Sequence, residues 1–67
     1  MKRKMQERCH FIYSHKNRES EYVYWSNEWG WANYGSATLF TLYEKRNLNL
    51  PMPPYENWIV GWGEKWI

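Results

Sequence analysis

Few side chains in this sequence can take part in acid-base, nucleophilic or metal chemistry: one cysteine, two histidines and seven glutamates, with no aspartate. Cys9 and His10 are adjacent, so on an extended strand they point to opposite faces and cannot pair as nucleophile and base. His10 and His15 diverge in the same way. No Cys-x-x-Cys, His-x-x-x-His or clustered carboxylate pattern offers the three or four ligands that a metal site needs. We therefore predict that the protein is not an enzyme and holds no metal or cofactor.

Aromatic side chains are the better candidates for a functional surface. The 67 residues include six tryptophans and six tyrosines, and residues 22–34 hold half of these twelve rings. A domain of about 60 residues buries only roughly 60% of the surface that its unfolded chain exposes. So many large rings cannot all enter so small a core, and interface hot spots are enriched in Trp and Tyr. The composition predicts a binding module.

The elements that position these rings follow from local patterns. Alternating strand-forming residues predict strands at 9–15 and 21–26, joined by a polar loop, and a third strand at 58–64. Thr41 and Glu44 have capping-box spacing, which predicts a helix at 42–48 with Thr41 as its N-cap. Together these elements predict a small α+β domain, with a three-stranded, mainly antiparallel sheet and one short helix packed on one face.

The expected conformation of the remaining segments follows from residues that favour turns and from prolines, whose backbone angles are restricted. Periodicity disappears over residues 27–36, so we expect a loop that carries aromatics, and residues 37–40 fit a short strand or bridge. Residues 50–54 contain three prolines and predict a stiff extended connector. In the last strand Gly61 and Gly63 share a face, where we expect them to leave room for the helix or a loop backbone.

The core is expected to contain rings in place of many aliphatic side chains. We expect the helix region to cover the sheet with Phe40, Leu42 and Leu48. Four tryptophans are predicted to lie in the core because they sit in strands or at matched positions: Trp25, Trp31, Trp58 and Trp62. The remaining rings, Trp29, Tyr34 and Trp66, are then surplus to the core.

Basic charge is concentrated at the N-terminus. Residues 1–8 carry a local charge of +3, so residues 9–67 sum to −1 from five basic and six acidic side chains. We predict a basic arm at 1–8 and a single domain at 9–67. The arm's cations, expected to steer an acidic partner, are Lys2, Arg3, Lys4 and Arg8.

Cysteine usage and hydropathy indicate the compartment. One cysteine excludes an intramolecular disulfide, and Cys9 is expected as a buried strand residue. No apolar run of membrane-spanning length and no secretory signal is present. We therefore expect a cytoplasmic protein that does not bind membranes.

The order of several short motifs supports a resemblance. The chain carries Tyr24-Trp25-Ser26-Asn27-Glu28-x-Gly30-Trp31, then Ala37-x-x-Phe40-Thr41-x-x-Glu44-Lys45, then Leu48-Asn49-Leu50-Pro51 before a strand that begins with Trp58. This order resembles a group of very small uncharacterised proteins common in bacteriophages and other mobile elements, over about residues 22–60. Those proteins usually have a glycine pair before the final Trp, and residues 52–57 take its place here. The resemblance implies a phage-type accessory protein that binds and blocks a host defence component in a bacterial cytoplasm.

An exposed aromatic patch is the predicted contact with such a host protein. Trp29 occupies the variable position of the first motif and is the ring most available to a partner. The predicted partner-binding residues are Trp29, Glu28, Tyr34, Trp66 and Tyr55. Affinity for a protein partner should then respond strongly to truncation of these rings and only mildly to salt.

Two alternatives remain at this point. In the first, Tyr22 and Tyr24, or Phe11 and Tyr13, stack on nucleic-acid bases or a nucleotide across an open sheet face, while the arm and Arg18 hold phosphates. In the second, the protein is a homo-oligomer whose final strand forms a sheet edge that pairs with another copy. The slight negative charge of residues 9–67 favours the protein-binding hypothesis over the nucleic-acid one.

Overall fold

A computed structural model describes residues 7–17, 21–50 and 56–67 of the chain. It has an antiparallel sheet and one short helix, which confirms the α+β class. The elements in chain order are strands β1 (Arg8–His15), β2 (Val23–Ser26) and β3 (Gly30–Ala32), a 3₁₀ turn (Tyr34–Ser36), helix α1 (Leu42–Asn47) and strand β4 (Ile59–Trp66). Most of the predicted proline connector, residues 51–54, lies outside the described residues.

The sheet has four strands, so the predicted count of three was wrong. Its order is β3-β2-β1-β4, with each neighbouring pair antiparallel. The central strand β1 pairs with β4 over its whole length, from Arg8 opposite Trp66 to His15 opposite Ile59. Strand β2 pairs only with the C-terminal part of β1. Strand β4 therefore lies at an edge of the sheet.

Strand β3 was missed because residues 27–36 show no alternation. The structure shows what starts it: the Ser26 hydroxyl oxygen accepts hydrogen bonds from the backbone N–H groups of Glu28, at 3.2 Å, and Trp29, at 3.0 Å, which closes a tight turn. Gly30 follows with a φ of 78°, a conformation that glycine adopts without a Cβ clash and that short hairpin loops use where the second strand begins. A strand of three residues is too short to show a period.

Helix α1 begins as predicted. The Thr41 hydroxyl accepts from the Glu44 backbone N–H at 3.1 Å, and Glu44 Oε1 accepts from the Thr41 backbone N–H at 2.9 Å, which completes the capping box. The helix ends at Asn47, one residue earlier than expected, and buries none of its residues. Leu42 and Leu48, assigned to the core from sequence, remain 37% and 39% exposed.

The segment before α1 contributes to the core through Phe40. Its backbone forms an antiparallel bridge with His10, with N–H to carbonyl distances of 2.7 and 2.8 Å. Its ring packs edge-to-face against Trp62 at a centroid distance of 5.6 Å. The buried hydrophobic residues of the described chain are Phe40, Ile12 and Cys9. Trp62 is only half-buried, so the core is small and the side chains of Ile12 and Phe40 lie at its centre.

Candidate functional site

Strand alternation divides the sheet into two faces of different character. The face that carries His10, Ile12 and Ser14 is covered by Phe40 and the α1 region, and we call it the covered face. The opposite face has no helix over it among the described residues, and we call it the aromatic face. It carries six rings, from β1, from β2 and the residue before it, and from the 3₁₀ turn: Phe11, Tyr13, His15, Tyr22, Tyr24 and Tyr34.

Antiparallel pairing gathers these rings into one cluster. Tyr13 lies directly opposite Tyr24 in the β1–β2 ladder, and side chains of opposed residues project from the same face. The His15 and Tyr22 rings stack at 4.6 Å with an interplanar angle of 24°. At the other end Tyr34 meets Tyr24 edge-to-face at 5.1 Å. The rings form a continuous network, and their mutual contacts hold each of them in a defined orientation.

Two glycines in β4 determine how two of these rings lie. Gly63 is opposite Phe11 and Gly61 is opposite Tyr13. A Cβ at position 61 would come within 2.9 Å of the Tyr13 hydroxyl oxygen, and a Cβ at position 63 would overlap the Phe11 ring. The rings therefore lean over the β4 backbone. The expected approach of the helix or a loop to these glycines was wrong, because rings from the neighbouring strand fill the space.

The aromatic face is close to electrically neutral. Lys65 Nζ lies 5.2 Å from the centre of the Tyr34 ring, within cation–π range. Glu7 pairs with Ile67 through the backbone and extends β1, so alternation places its carboxylate on this same face. Burial, with smaller contributions from Tyr22 and Tyr34, raises the pKa of Tyr24 above its usual value of 10.0. Tyr24 therefore presents a neutral hydroxyl group near pH 7.

The covered face contains two buried polar side chains without a partner among the described residues. His10 is 1% exposed and Ser14 is fully buried, and neither the ring nitrogens nor the hydroxyl makes a hydrogen bond. Cys9 is buried on the other face, as expected for a structural strand cysteine. No group of three potential metal ligands occurs in the described ranges. This face therefore holds the core and shows no convergent chemistry.

The partner-binding residues predicted from sequence do not form one patch. Trp29 is 70% exposed at the turn between β2 and β3, next to exposed Glu28. Trp66 is 58% exposed at the end of β4, where alternation places it on the side of Trp62, opposite to the aromatic face. Tyr34 alone belongs to the aromatic face. Tyr55 lies outside the described residues.

The predicted basic arm falls mostly outside the described chain. Lys2, Arg3 and Lys4 precede its first residue. Arg8 is the first residue of β1 and forms an exposed ion pair with Glu64 at 3.7 Å. The Arg8 guanidinium thus lies beside a carboxylate of the sheet edge.

Sequence reasoning found the pairs of the aromatic face but not the whole cluster. Alternation assigned Phe11 and Tyr13 to one face of β1, and Tyr22 and Tyr24 to one face of the next strand. Whether the two pairs lie side by side on one face of the sheet depends on the register of β1 with β2. Alternation within each strand does not predict that register. His15 was missed, although its position two residues after Tyr13 was the available signal.

Comparison with known proteins yields no relative. No family model, no curated protein and no solved structure matches this chain. The described part of the chain contains no helix long and apolar enough to cross a membrane.

Proposed function

We propose that this protein is a non-enzymatic binding module that docks a protein partner on its aromatic face. The observation that carries the proposal is the continuous six-ring cluster on a sheet face over which the described residues place no α-helix. Tyr22 and Tyr34 remain 43% and 47% exposed within that cluster. Rings held by one another offer wide contact area at a small entropic cost of ordering, which is why Tyr is frequent in binding surfaces.

Charge favours a protein over a nucleic acid as the partner. The described residues carry five basic and six acidic side chains, a net charge of −1. The aromatic face itself combines Lys65 with Glu7. A phosphate backbone is bound mainly through clustered Lys and Arg side chains. A neutral aromatic surface is better suited to the apolar and polar side chains of a protein.

Nucleic-acid binding is the second candidate, and one observation favours it. Phe11, Tyr13, Tyr22 and Tyr24 lie on one sheet face that the described α-helix does not cover, which is the arrangement that base stacking requires. Stacking contributes about 1–3 kcal/mol per base in single-strand binders. This candidate requires cations from outside the aromatic face, such as those of the N-terminal arm.

The resemblance to phage and mobile-element proteins supports a further step of the proposal. Small proteins of that origin often bind and block a host defence component. We extend the proposal to a host protein in a bacterial cytoplasm, which this module inhibits by occupying its surface. The support for this step is the motif order alone, and its test is whether the bound partner loses activity in the complex.

Affinity capture with matched variants tests the docking surface. Tagged protein would be exposed to bacterial lysate with nuclease, and the bound protein identified and then titrated in purified form. Tyr22→Ala and Tyr34→Ala should each weaken its binding by about tenfold or more, as truncation of a hot-spot ring does, whereas Trp66→Ala should not. Trp29→Ala tests the alternative that the partner binds at the β2–β3 turn. Loss of binding in Trp29→Ala with full binding in both tyrosine variants would move the site to the β2–β3 turn.

Salt and nuclease separate the two candidate functions. A protein partner should be retained after nuclease treatment, and its affinity should change little between 50 and 200 mM salt. A single-stranded oligonucleotide followed by fluorescence anisotropy should show at most weak binding. Tight oligonucleotide binding that falls steeply over that same salt range would favour the nucleic-acid candidate.

A further inference from the structure

A second concave surface lies apart from the aromatic face, between the β2–β3 turn and helix α1. It is an open cleft of about 360 Å³, a size within the usual range of small binding sites. Phe40, only 6% exposed, contributes the most buried of its side chains, and Tyr43, 76% exposed, is the most open. The lining residues are Asn27, Phe40, Tyr43, Glu44, Asn47 and Leu48.

Hydrogen bonds fix both sides of this cleft. The Asn27 backbone N–H donates to Thr38 Oγ1 at 2.8 Å, and Asn27 Oδ1 accepts from Trp25 Nε1 at 2.9 Å. On the helix side, Glu44 Oε1 is held by the capping box with Thr41. These contacts tie the turn to the segment before α1, so the cleft exists before any ligand binds.

The same hydrogen bonds determine which polar atoms remain for a ligand. Glu44 uses Oε1 in the capping box, which leaves Oε2 without a partner among the described residues. Asn47 donates through Nδ2 to the Tyr43 carbonyl oxygen at 2.8 Å, which leaves its Oδ1 as an acceptor. Both of these oxygens accept hydrogen bonds, whereas the Asn27 Nδ2 group and the Tyr43 hydroxyl of the same lining can donate. The Glu44 oxygen is the charged member of this set, so we expect the cleft to prefer a ligand that donates to it.

Charge specifies that donor further. Among the described residues that line the cleft, Glu44 contributes one carboxylate and none is a cation. Glu28 directly follows Asn27 and adds a second exposed carboxylate to the turn. The nearby Lys45 ammonium lies instead 6.0 Å from the centre of the Trp62 ring. The cleft thus combines negative charge, acceptor atoms and aromatic surface.

We propose that this cleft binds the guanidinium side chain of an arginine on a protein partner. A guanidinium is planar, always charged and rich in donors, and it stacks on aromatic rings while pairing with carboxylates. Its aliphatic stem suits a wall formed by Leu48 and Phe40. The inference goes beyond the docking role of the aromatic face and does not depend on it.

A neutral isostere tests the charge requirement. Isotope-labelled protein would be titrated with Nα-acetyl-arginine amide and, separately, with Nα-acetyl-citrulline amide, while the side-chain amide resonances of Asn27 and Asn47 are followed by NMR. The arginine compound should shift both, with a dissociation constant about fivefold lower than that of the citrulline compound, the upper end of the range for an exposed ion pair. Equal binding of the two compounds, or no shift with the arginine compound, would overturn the proposal.

Glu44→Gln is the variant that separates binding from folding. Glutamine also serves at this position of a capping box, so the helix should be retained while the charge is removed. Arginine affinity should fall by about fivefold. Glu21→Gln, which alters an exposed carboxylate two residues before β2 and outside the cleft, is the matched control and should bind as the wild type does. Unchanged affinity in Glu44→Gln would refute the role of its carboxylate, whatever the capture experiment on the aromatic face shows.

Discussion

The two faces of the sheet differ in how their side chains are packed and in how much of them is buried. On the covered face Ile12 and Phe40 are buried beneath the α1 region, and two polar side chains, His10 and Ser14, are buried with them. On the aromatic face most rings are only half-buried, and each is covered mainly by its neighbours. The covered face contributes the aliphatic packing, whereas the aromatic face keeps its ring surfaces accessible. If the aromatic face is the docking surface that we propose, stability and binding depend on opposite faces of the sheet.

The largest expected effect is on the covered face. Phe40→Ala should lower the free energy of unfolding by about 3–5 kcal/mol, the usual cost of emptying a buried aromatic site. This is a large share of the roughly 5–15 kcal/mol available to a folded domain. Tyr22→Ala on the aromatic face should cost less than half as much, since Tyr22 is already 43% exposed. Urea denaturation followed by tryptophan fluorescence measures both, and similar losses would contradict the division of roles.

The next effect concerns the contact between the aromatic face and β4. Gly63→Ala places a methyl group where the Phe11 ring lies, and should destabilise the fold by about 1–3 kcal/mol, as overpacking does. Phe11→Leu in the same chain should recover part of that loss by removing the ring. Gly35→Ala is the control, because its Cβ would lie 3.6 Å from Asn33 Oδ1, an ordinary contact. A loss in Gly63→Ala no larger than in Gly35→Ala would show that the ring does not lean on β4.

A smaller effect of opposite sign is expected at Ser14. Its hydroxyl is fully buried and unpartnered in the described structure, and an unmet buried polar group lowers stability. Ser14→Ala should therefore leave the free energy of unfolding unchanged or raise it by up to about 1 kcal/mol. Thermal unfolding by circular dichroism provides the measurement. A clear loss of stability would mean that the hydroxyl has a partner that supports the covered face.

The smallest effect is a dependence of stability on alkaline pH that involves the aromatic face. Since the pKa of Tyr24 is raised above 10.0 in the folded protein, the unfolded chain loses this proton first as the pH rises. The contribution of Tyr24 is thus complete below pH 10.0 and is lost as the pH rises from there through the folded pKa. Tyr24→Phe should flatten this part of the profile, because phenylalanine has no hydroxyl proton to lose. The free energy of unfolding, measured by urea denaturation at several pH values between 8 and 11, tests this prediction. The same dependence on pH in the wild type and in Tyr24→Phe would exclude this linkage.

Local patterns predicted the parts of the fold that depend on neighbouring residues. The capping box of Thr41 and Glu44 needs only a spacing of three residues, and the faces of β1 and β4 need only alternation. Strand β3 needs more: Ser26 closes the turn and Gly30 takes a positive φ, features that no period reveals. Phe40 was correctly expected to cover the sheet, whereas its backbone bridge to His10 in β1, far away in the chain, was not predicted.

The candidate site was less accessible to sequence reasoning than the fold. Alternation assigned Phe11 with Tyr13, and Tyr22 with Tyr24, each to a single face, but as alternative surfaces for base stacking and not as one docking surface. Their assembly into one cluster depends on the register of β1 with β2 and on the 3₁₀ turn that brings Tyr34 to the sheet. The cleft beside α1 depends on the hydrogen bond from Asn27 to Thr38, which joins residues eleven apart. Neither the ring cluster nor the cleft can be predicted from a short stretch of sequence, because each depends on contacts between residues distant in the chain.

The placement of Phe11 and Tyr13 over Gly63 and Gly61 has a consequence for how the chain chooses its alignment. A shift of β4 by one residue against β1 would exchange its two faces. A shift by two residues would preserve the faces, yet it would place either Lys65 beneath Phe11 or Ile59 beneath Tyr13. Only the observed register places a glycine beneath both rings. The packing of Phe11 and Tyr13 on Gly63 and Gly61 therefore favours this register of β1 with β4, the longest strand pair described.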